Sequence, residues 1–304
     1  MAQNNSLTKS LKKHYVHILM LLPGLIVVLL FCYGPMYGVL IAFKDYKMTK
    51  GILGSDWVGL KYFMQMFKRP QFINVLWNTI IISFSKLLFG FPVPVIFALL
   101  LNEIKGMKFK KVIQTVSYLP HFVSWVVLGG IFINLLSLTG PVNEIRQLIG
   151  LEPIIYMARE EHFRSILIIT SIWKSFGWGS IIYFAALSGV DPSLYEAATI
   201  DGANRFQKAW YISIPCISSV VIIMLILNMG NILNAGFDQV FNMYNPSVYS
   251  VSDIIDTYVY RVGLEKMQYS FSTAVNLFKS IIALGMVLTV NRIAKFVDEE
   301  HTLW

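Results

Sequence analysis

The segment LYEAATIDGANRFQKAWYISIP, residues 194–215, separates two long apolar stretches and decides how the chain is organised. Just before it, Asp191 and Pro192 form a typical helix start, because aspartate accepts from free N–H groups and proline suits the first helical position. Within it, Gly202 tolerates the left-handed backbone that ends helices. The segment therefore predicts two short helices joined at a sharp bend, the second over residues 203–214.

The composition of the whole chain indicates an integral membrane protein. Of its 304 residues, 56% are hydrophobic and only 14% are charged. A soluble domain of this length needs more charged surface than that. The net charge of +8 comes from Lys and Arg that flank apolar stretches, not from a basic soluble patch. Membrane lipid is therefore an expected partner, and nucleic acid is not.

Six stretches are long enough to cross a bilayer, which takes about 20 mainly apolar residues. They cover residues 16–43, 72–101, 112–136, 164–189, 216–235 and 271–293. The predicted fold class is an all-α integral membrane protein with six transmembrane helices. Within the second stretch, Pro92 and Pro94 predict a break in its inner half.

The distribution of lysines near the ends of these stretches predicts the orientation. Lys9, Lys12 and Lys13 precede the first stretch, and a basic cluster at 105–111 follows the second. Basic residues at span ends favour the cytoplasmic side. We therefore expect one transmembrane domain over 1–304, with cytoplasmic segments at 1–15, 190–215 and 294–304 and both termini in the cytoplasm.

The segment at 190–215 has the composition of a docking surface. Its first predicted helix carries small residues, which let a partner approach the backbone, and its second carries Phe206, Trp210 and Tyr211. Aromatic side chains of this kind supply much of the binding energy at protein interfaces. An ordinary capped loop with solvated charges would show the same helix signals without this pattern.

The same segment resembles a known family. Glu196-Ala197-Ala198, Gly202 and Ile212-Ser213-Ile214-Pro215 stand at the spacing of the EAA loop of ATP-binding-cassette (ABC) importer permeases, with isoleucine at 214 where leucine is usual. Residues 117–127, 177–205 and 236–264 further resemble the oligosaccharide branch of these permeases, often labelled aldouronate or polysaccharide type.

This resemblance implies a type I ABC importer permease (MetI-like) fold in a bacterial cytoplasmic membrane. The implied partners are a second homologous permease, two ATPase subunits and an extracytoplasmic sugar-binding lipoprotein. The chain has no G-x-x-x-x-G-K-[ST] sequence to hold nucleotide phosphates, so we expect no bound cofactor, and the resemblance places ATP and magnesium on the ATPases. The residues expected to contact an ATPase are Glu196, Ala197, Ala198, Asp201, Gly202, Arg205 and Phe206.

Polar residues inside the predicted spans indicate a substrate pathway. Three of them are lysines, although no Asp or Glu lies within any predicted span, and ionisable groups at that depth usually face the bundle interior or water. The expected pathway residues are Lys86, Lys174, Trp178, Asn228, Asn231, Asn234, Asn276 and Lys279. The lysines suggest an acidic sugar, whereas a neutral sugar fits if backbone carbonyls or the second permease neutralise them.

Three alternative functions stay open at this point. A permease of the same fold for a non-sugar solute has the same loop. A membrane-embedded enzyme needs a set of catalytic residues such as H-E-x-x-H or G-x-S-x-G, which the sequence lacks. An ion-coupled transporter usually has internal repeats and carboxylates inside its spans. The favoured interpretation is a non-catalytic subunit of an ATP-driven oligosaccharide importer.

Overall fold

A computed structural model describes residues 13–230 and 232–297, and these residues are almost entirely helical. The helices, in chain order, are Tyr15–Val28 with its continuations Leu29–Tyr33 and Gly34–Phe43, then Gly51–Gly54, Lys61–Lys68, Pro70–Gly90, Pro92–Asn102, Met107–Phe122, Trp125–Leu135, Pro141–Leu148, Tyr156–Ala158, Glu160–Ser188, Pro192–Ile200, Arg205–Cys216, Ser218–Gly230, Phe237–Met243, Pro246–Val248, Tyr249–Ser252, Ile255–Tyr260, Arg261–Glu265 and Tyr269–Val297. Two strands, Lys44–Asp45 and Asp56–Trp57, pair antiparallel.

Four of these helical segments are long and apolar enough to cross a membrane, and two bent helix pairs can supply the remaining crossings. The four are Tyr15–Phe43, Pro70–Asn102, Glu160–Ser188 and Tyr269–Arg292. They coincide with the first, second, fourth and sixth predicted spans. In the second span, the predicted proline break amounts to a one-residue interruption at Phe91, after which the helix continues.

The third span differs in shape from the single helix predicted over 112–136. Met107–Phe122 and Trp125–Leu135 meet at 101°. Val123 adopts an extended backbone between them, and Ser124 caps the second helix by accepting from the N–H of Val127. The third predicted span is therefore a bent pair of helices, and contacts from another span stabilise the bend.

The fifth span is also shorter than predicted. Its helix covers Ser218–Gly230, not 216–235, and it meets Arg205–Cys216 at 65°. The predicted pathway residue Asn231 lies outside the described residues. After it the chain runs without regular structure to Gly236, which has a φ of +89°.

The connection between the fifth and sixth spans is part of the core. The predicted span bounds place residues 236–270 outside the membrane, as the link between the fifth and sixth spans. In the structure, Val248, Ile254 and Ile255 are completely buried, and they pack with apolar residues of the second, fourth and sixth spans. The prediction missed this burial because the apolar residues here are interrupted by charged ones and form no span-length stretch.

The two ends of the bundle differ. At one, the loop end, Arg205 of the 190–215 segment lies 3.7 Å from Glu103, which follows the second span. At the other, the strand end, the two strands lie beside the start of the sixth span, where the N–H of Tyr46 donates to the hydroxyl of Ser270 at 2.9 Å.

A glycine allows the third and fourth spans to touch. A Cβ atom at Gly177 would lie 2.1 Å from the carbonyl oxygen of Ser117. The two backbones are therefore in direct contact, a packing that small residues permit in membrane helices.

Candidate coupling loop and transport cavity

The first helix of the 190–215 segment, Pro192–Ile200, begins where the sequence predicted. The carboxylate of Asp191 accepts from the N–H of Ser193 at 2.9 Å, with Pro192 at the first helical position. This hydrogen bond to the charged form lowers the pKa of Asp191. Residues 191–193 therefore define the start of the helix locally.

The bend follows at Gly202, which has the predicted left-handed conformation with a φ of +78°. The second helix starts at Arg205, two residues later than predicted, because Asn204 and Gln207 form a reciprocal capping box with bonds of 2.9 and 2.8 Å. It continues through Pro215 to Cys216 by way of a wider helical turn over Ala209–Ser213. Such a turn accommodates the hydrogen bond that proline cannot make.

Two side-chain bonds hold the two helices together across the bend. The hydroxyls of Tyr195 and Ser213 lie 2.9 Å apart, and the ammonium of Lys208 donates to Thr199 at 2.6 Å. Ser213 is buried, so its bond with Tyr195 is shielded from water. These four residues were not predicted from the sequence, because spacing along the chain does not show which side chains meet across a bend.

The outer face of this segment is apolar and open. Ile200 is 88% exposed and Phe206 84%, and Trp210 and Tyr211 are also exposed. The remaining expected contact residues, Glu196, Ala197, Asp201, Gly202 and Arg205, are all exposed, while Ala198 is half-buried. The ion pair between Arg205 and Glu103 is largely solvated, and such surface pairs contribute little to stability. The face is free to bind a partner.

A cavity of about 330 Å³, lined by both polar and apolar residues, lies between the second, fourth and fifth spans; we call it the inner cavity. It brings together three of the expected pathway residues, Lys86, Asn228 and Asn234. Its other polar lining residues are Ser83, Ser171, Ser175 and Tyr183. Hydroxyl, amide and aromatic groups in one concave site are suited to binding a polar organic ligand.

Lys86 is held by acceptors from the connection between the fifth and sixth spans. Its ammonium donates to the carbonyl of Ala235 at 2.6 Å and to the side-chain oxygen of Gln239. The amide of Gln239 in turn donates to Leu167 and Thr170 of the fourth span, at 2.7 and 2.8 Å. Gln239 thus joins three elements, a role that was not predicted from the sequence.

Lys174 lies at the bend of the third span, not in the inner cavity. Its ammonium donates to the carbonyls of Pro120, His121 and Val123. Pro120 and His121 belong to the last turn of the helix Met107–Phe122, and Val123 is the extended residue that follows it. Trp178, one turn further along, stacks on His121 with ring centroids 4.6 Å apart. An ammonium group, which donates up to three hydrogen bonds and accepts none, is well matched to the carbonyls at a helix end.

Lys279 has a carboxylate partner that lies outside the predicted spans and was therefore not predicted from the sequence. Its ammonium lies 2.5 Å from Asp256, which belongs to the buried connection. Asn276, one turn earlier on the sixth span, is exposed, and neither residue lines the inner cavity. The expected pathway residues therefore lie in three separate places. No group of three or more His, Cys, Asp or Glu residues in the described ranges could hold a metal ion.

Comparison with known proteins identifies the family. The profile of the family described as "Binding-protein-dependent transport system inner membrane component" matches residues 90–299. The chain belongs to this family. The permease is therefore a multi-pass inner membrane protein and a transport subunit, and the expectation of a non-catalytic ABC permease is confirmed.

Two curated relatives resemble the permease over nearly its whole length. The polygalacturonan/rhamnogalacturonan transport system permease protein YteP of Bacillus subtilis (strain 168) is 46% identical over 97% of this chain and 92% of its own. Protein LplB of the same organism is also 46% identical, over 96% of this chain and 92% of its own.

Solved structures confirm the fold. A chain in the crystal structure of a bacterial ABC transporter involved in the import of the acidic polysaccharide alginate matches with a TM-score of 0.89 and 38% identity, covering 96% of the permease and 99% of that chain. A second structure is that of the bacterial alginate transporter in complex with an alginate pentasaccharide-bound periplasmic protein. A chain of it matches with a TM-score of 0.88 and 38% identity, covering 95% of the permease and 97% of that chain. The predicted ABC importer permease fold is therefore correct.

Proposed function

We propose that the permease forms part of an ATP-driven importer for acidic oligosaccharides. The observation that carries this proposal is the near full-length similarity to two proteins. One is described as a polygalacturonan/rhamnogalacturonan transport system permease, and the other is a chain of a transporter involved in the import of the acidic polysaccharide alginate. The inner cavity supports it, because its amides, hydroxyls and tyrosine can bind sugar hydroxyls and a pyranose ring.

The proposed assembly contains a second homologous permease, two ATPase subunits and an extracytoplasmic sugar-binding lipoprotein. ATP and magnesium bind to the ATPases. In this assembly the loop end faces the cytoplasm, together with both termini, and the strand end faces the binding protein. The structure of the alginate transporter with a sugar-bound periplasmic protein supports a partner of the latter kind.

In the proposed mechanism, the exposed face of the 190–215 segment binds an ATPase subunit. When the ATPases bind ATP and close, they move this segment as one body, because the bonds Tyr195–Ser213 and Lys208–Thr199 hold its two helices together. The second helix leads directly into the fifth span, which lines the inner cavity through Asn228. Movement at the loop end therefore reaches the cavity through a short path of two helices that meet at 65°.

The three lysines within the spans do not by themselves establish an acidic substrate. Lys86 and Lys174 donate to backbone carbonyls and an amide, and Lys279 is paired with Asp256. The acidic cargo therefore rests on the relatives and not on these charges. A neutral oligosaccharide or a non-sugar solute in the same fold remains the alternative that the experiments below distinguish.

The first test compares subunit recovery for wild type and Gly202→Asp. Gly202 has a φ of +78°, which an aspartate adopts only with strain, and the new carboxylate would stand in the docking face. Gly150→Asp is a matched control, because Gly150 has the same φ, is open on all sides and lies between the third and fourth spans.

We expect a tagged wild-type permease, solubilised gently from native membranes, to bring down one second permease and an ATPase. Gly202→Asp should lose the ATPase and keep the second permease, while Gly150→Asp retains both. Mass spectrometry of the recovered subunits gives the result. A wild-type chain that is recovered alone, or a Gly202→Asp chain that keeps its ATPase, contradicts the proposed coupling.

A further inference from the structure

We propose that a second cavity, at the strand end between the start of the second span and the buried connection, binds the carboxylate of one acidic sugar unit through Lys266, next to the guanidinium of Arg261. This inference rests on the proposed function and adds a binding subsite outside the inner cavity. We call it the outer cavity. It has a volume of about 300 Å³, enough for a single sugar ring.

The outer cavity shares no lining residue with the inner cavity. One wall is the first turns of the second span, with Gln71 and Asn74, and the other is formed by Tyr249 and Ser250. The amide of Asn74 donates to the carbonyl of Ser250 at 2.7 Å, which ties the two walls together. The cavity is thus part of the fold and not a gap between loops.

The charges that line the outer cavity leave one cation available to a ligand. Arg261 binds Asp253 with two hydrogen bonds, one of them 3.2 Å long, and lies over the ring of Tyr249 at 4.7 Å. Lys266 is exposed and makes no side-chain hydrogen bond or ion pair within the described residues. Two cations and one carboxylate therefore line the cavity, and it is net positive.

A buried hydroxyl at this cavity also lacks a partner. Tyr258 lines the outer cavity, is 2% exposed, and its hydroxyl has no hydrogen-bond partner among the described residues. An unsatisfied buried hydroxyl is energetically unfavourable, so such groups are rare. Together with the side-chain amides of Gln71 and Asn74, it gives the wall hydrogen-bonding capacity beside the cations, as an anionic pyranose requires.

The lysines within the spans differ from Lys266, because each of them has an acceptor. Lys86, Lys174 and Lys279 each donate to an acceptor of the protein itself. Lys266 does not, and it lies at the end of the bundle where a delivered sugar arrives in the proposed orientation. A flexible, hydrated ammonium beside a fixed guanidinium can attract a carboxylate and release it again, which an entry subsite must do.

The test uses the assembled transporter in lipid nanodiscs, without the binding protein, and trigalacturonate as the probe. The variant is Lys266→Gln, with Lys266→Arg to restore the charge. Lys68→Gln is the matched control, since Lys68 is also an exposed lysine at this end of the bundle but lines neither the inner nor the outer cavity. The neutral probe is the same trisaccharide with its carboxyl groups chemically reduced.

We expect Lys266→Gln to weaken trigalacturonate binding about fivefold to tenfold in equilibrium titration. Lys266→Arg and Lys68→Gln should bind as wild type does, and binding of the neutral trisaccharide should not depend on residue 266. Wild-type uptake of trigalacturonate in proteoliposomes with ATP and the binding protein is measured in parallel, because it tests the proposed function separately.

Equal binding of trigalacturonate by wild type and Lys266→Gln overturns the outer subsite, and so does the absence of binding without the binding protein. In either case, uptake of trigalacturonate by wild type leaves the proposed importer function intact. The same holds if Lys68→Gln weakens binding as much as Lys266→Gln, because the effect is then general surface charge. A wild type that transports no acidic oligosaccharide overturns the proposed function itself.

Discussion

At the residue scale, the lysines inside the spans show how a charge is accommodated in a membrane protein without an acid in its own span. Lys174 uses three backbone carbonyls, Lys86 uses one carbonyl and an amide, and Lys279 reaches Asp256 of the buried connection. An unpaired ionisable group at such depth would be costly. In each case the acceptor comes from another element, so the charge stabilises tertiary structure.

Gly177 provides a test of packing at a single residue. The Cβ of a Gly177→Ala protein would stand 2.1 Å from the carbonyl oxygen of Ser117, and a backbone atom cannot rotate away as a side chain can. We expect a loss of about 1–3 kcal/mol, typical of overpacking, and a lower melting temperature in detergent.

Gly130→Ala serves as the control for this substitution. Gly130 lies within the helix Trp125–Leu135, and no atom lies within 4 Å of the place that a Cβ would take there. Alanine at this position should therefore leave stability unchanged or raise it by about 0.5–1 kcal/mol. If the two alanine proteins melted at the same temperature, the third and fourth spans would not be in backbone contact.

At the element scale, the third span depends on a cation from the fourth. The carbonyls of His121 and Val123 lie at the 101° bend and accept from Lys174, which also donates to the carbonyl of Pro120. A helix end without such donors is unfavourable in a membrane, where water does not replace them. The bend and the lysine therefore form one structural unit.

Lys174→Met should lower the melting temperature and reduce uptake of acidic and neutral sugars together. The expected cost is about 1–2 kcal/mol, because the site is only partly buried and charged hydrogen bonds are weakened by solvent. Lys174→Arg keeps the donors and should retain most of the stability. If Lys174 instead binds a substrate carboxylate, as the sequence suggested, the Lys174→Met protein should be as stable as wild type. It should then lose only the uptake of acidic sugars.

The elements that local chemistry defines could be predicted from the sequence, and those that distant contacts define could not. The start at Asp191 and the bend at Gly202 depend on neighbouring residues, so the loop was predicted to within two residues. Span-length apolar stretches likewise identified the crossings. The bend at Val123 and the burial of Ile254 depend on residues tens of positions away, and one-dimensional patterns do not contain those contacts.

At the scale of the whole molecule, the two ends of the bundle carry different chemistry. The loop end presents an exposed apolar face on a rigid pair of helices, and the strand end presents a positive polar cavity. The inner cavity lies between the second, fourth and fifth spans. Energy input and substrate entry are thereby assigned to opposite sides of the membrane in the proposed orientation.

Cysteine labelling tests this orientation. With Cys32 and Cys216 replaced by serine, Glu265→Cys marks the strand end and Lys105→Cys the loop end, and both native side chains are exposed. A membrane-impermeant maleimide should label Glu265→Cys in cells whose cytoplasmic membrane is intact. Lys105→Cys should react only after the membrane is permeabilised. The reverse pattern would invert the topology and with it the assignment of both cavities.

The first span has a consequence for how this protein could diversify. Its side chains from Tyr15 to Tyr37 are exposed, and within the described residues it becomes partly buried only from residue 38 onward, with Ala42 completely buried. Lipid tails are as apolar as those side chains, so the span loses little by having no neighbour within its own chain. We therefore expect exchanges of one apolar residue for another in the exposed part of the first span to leave intact the cavities that the remaining spans enclose.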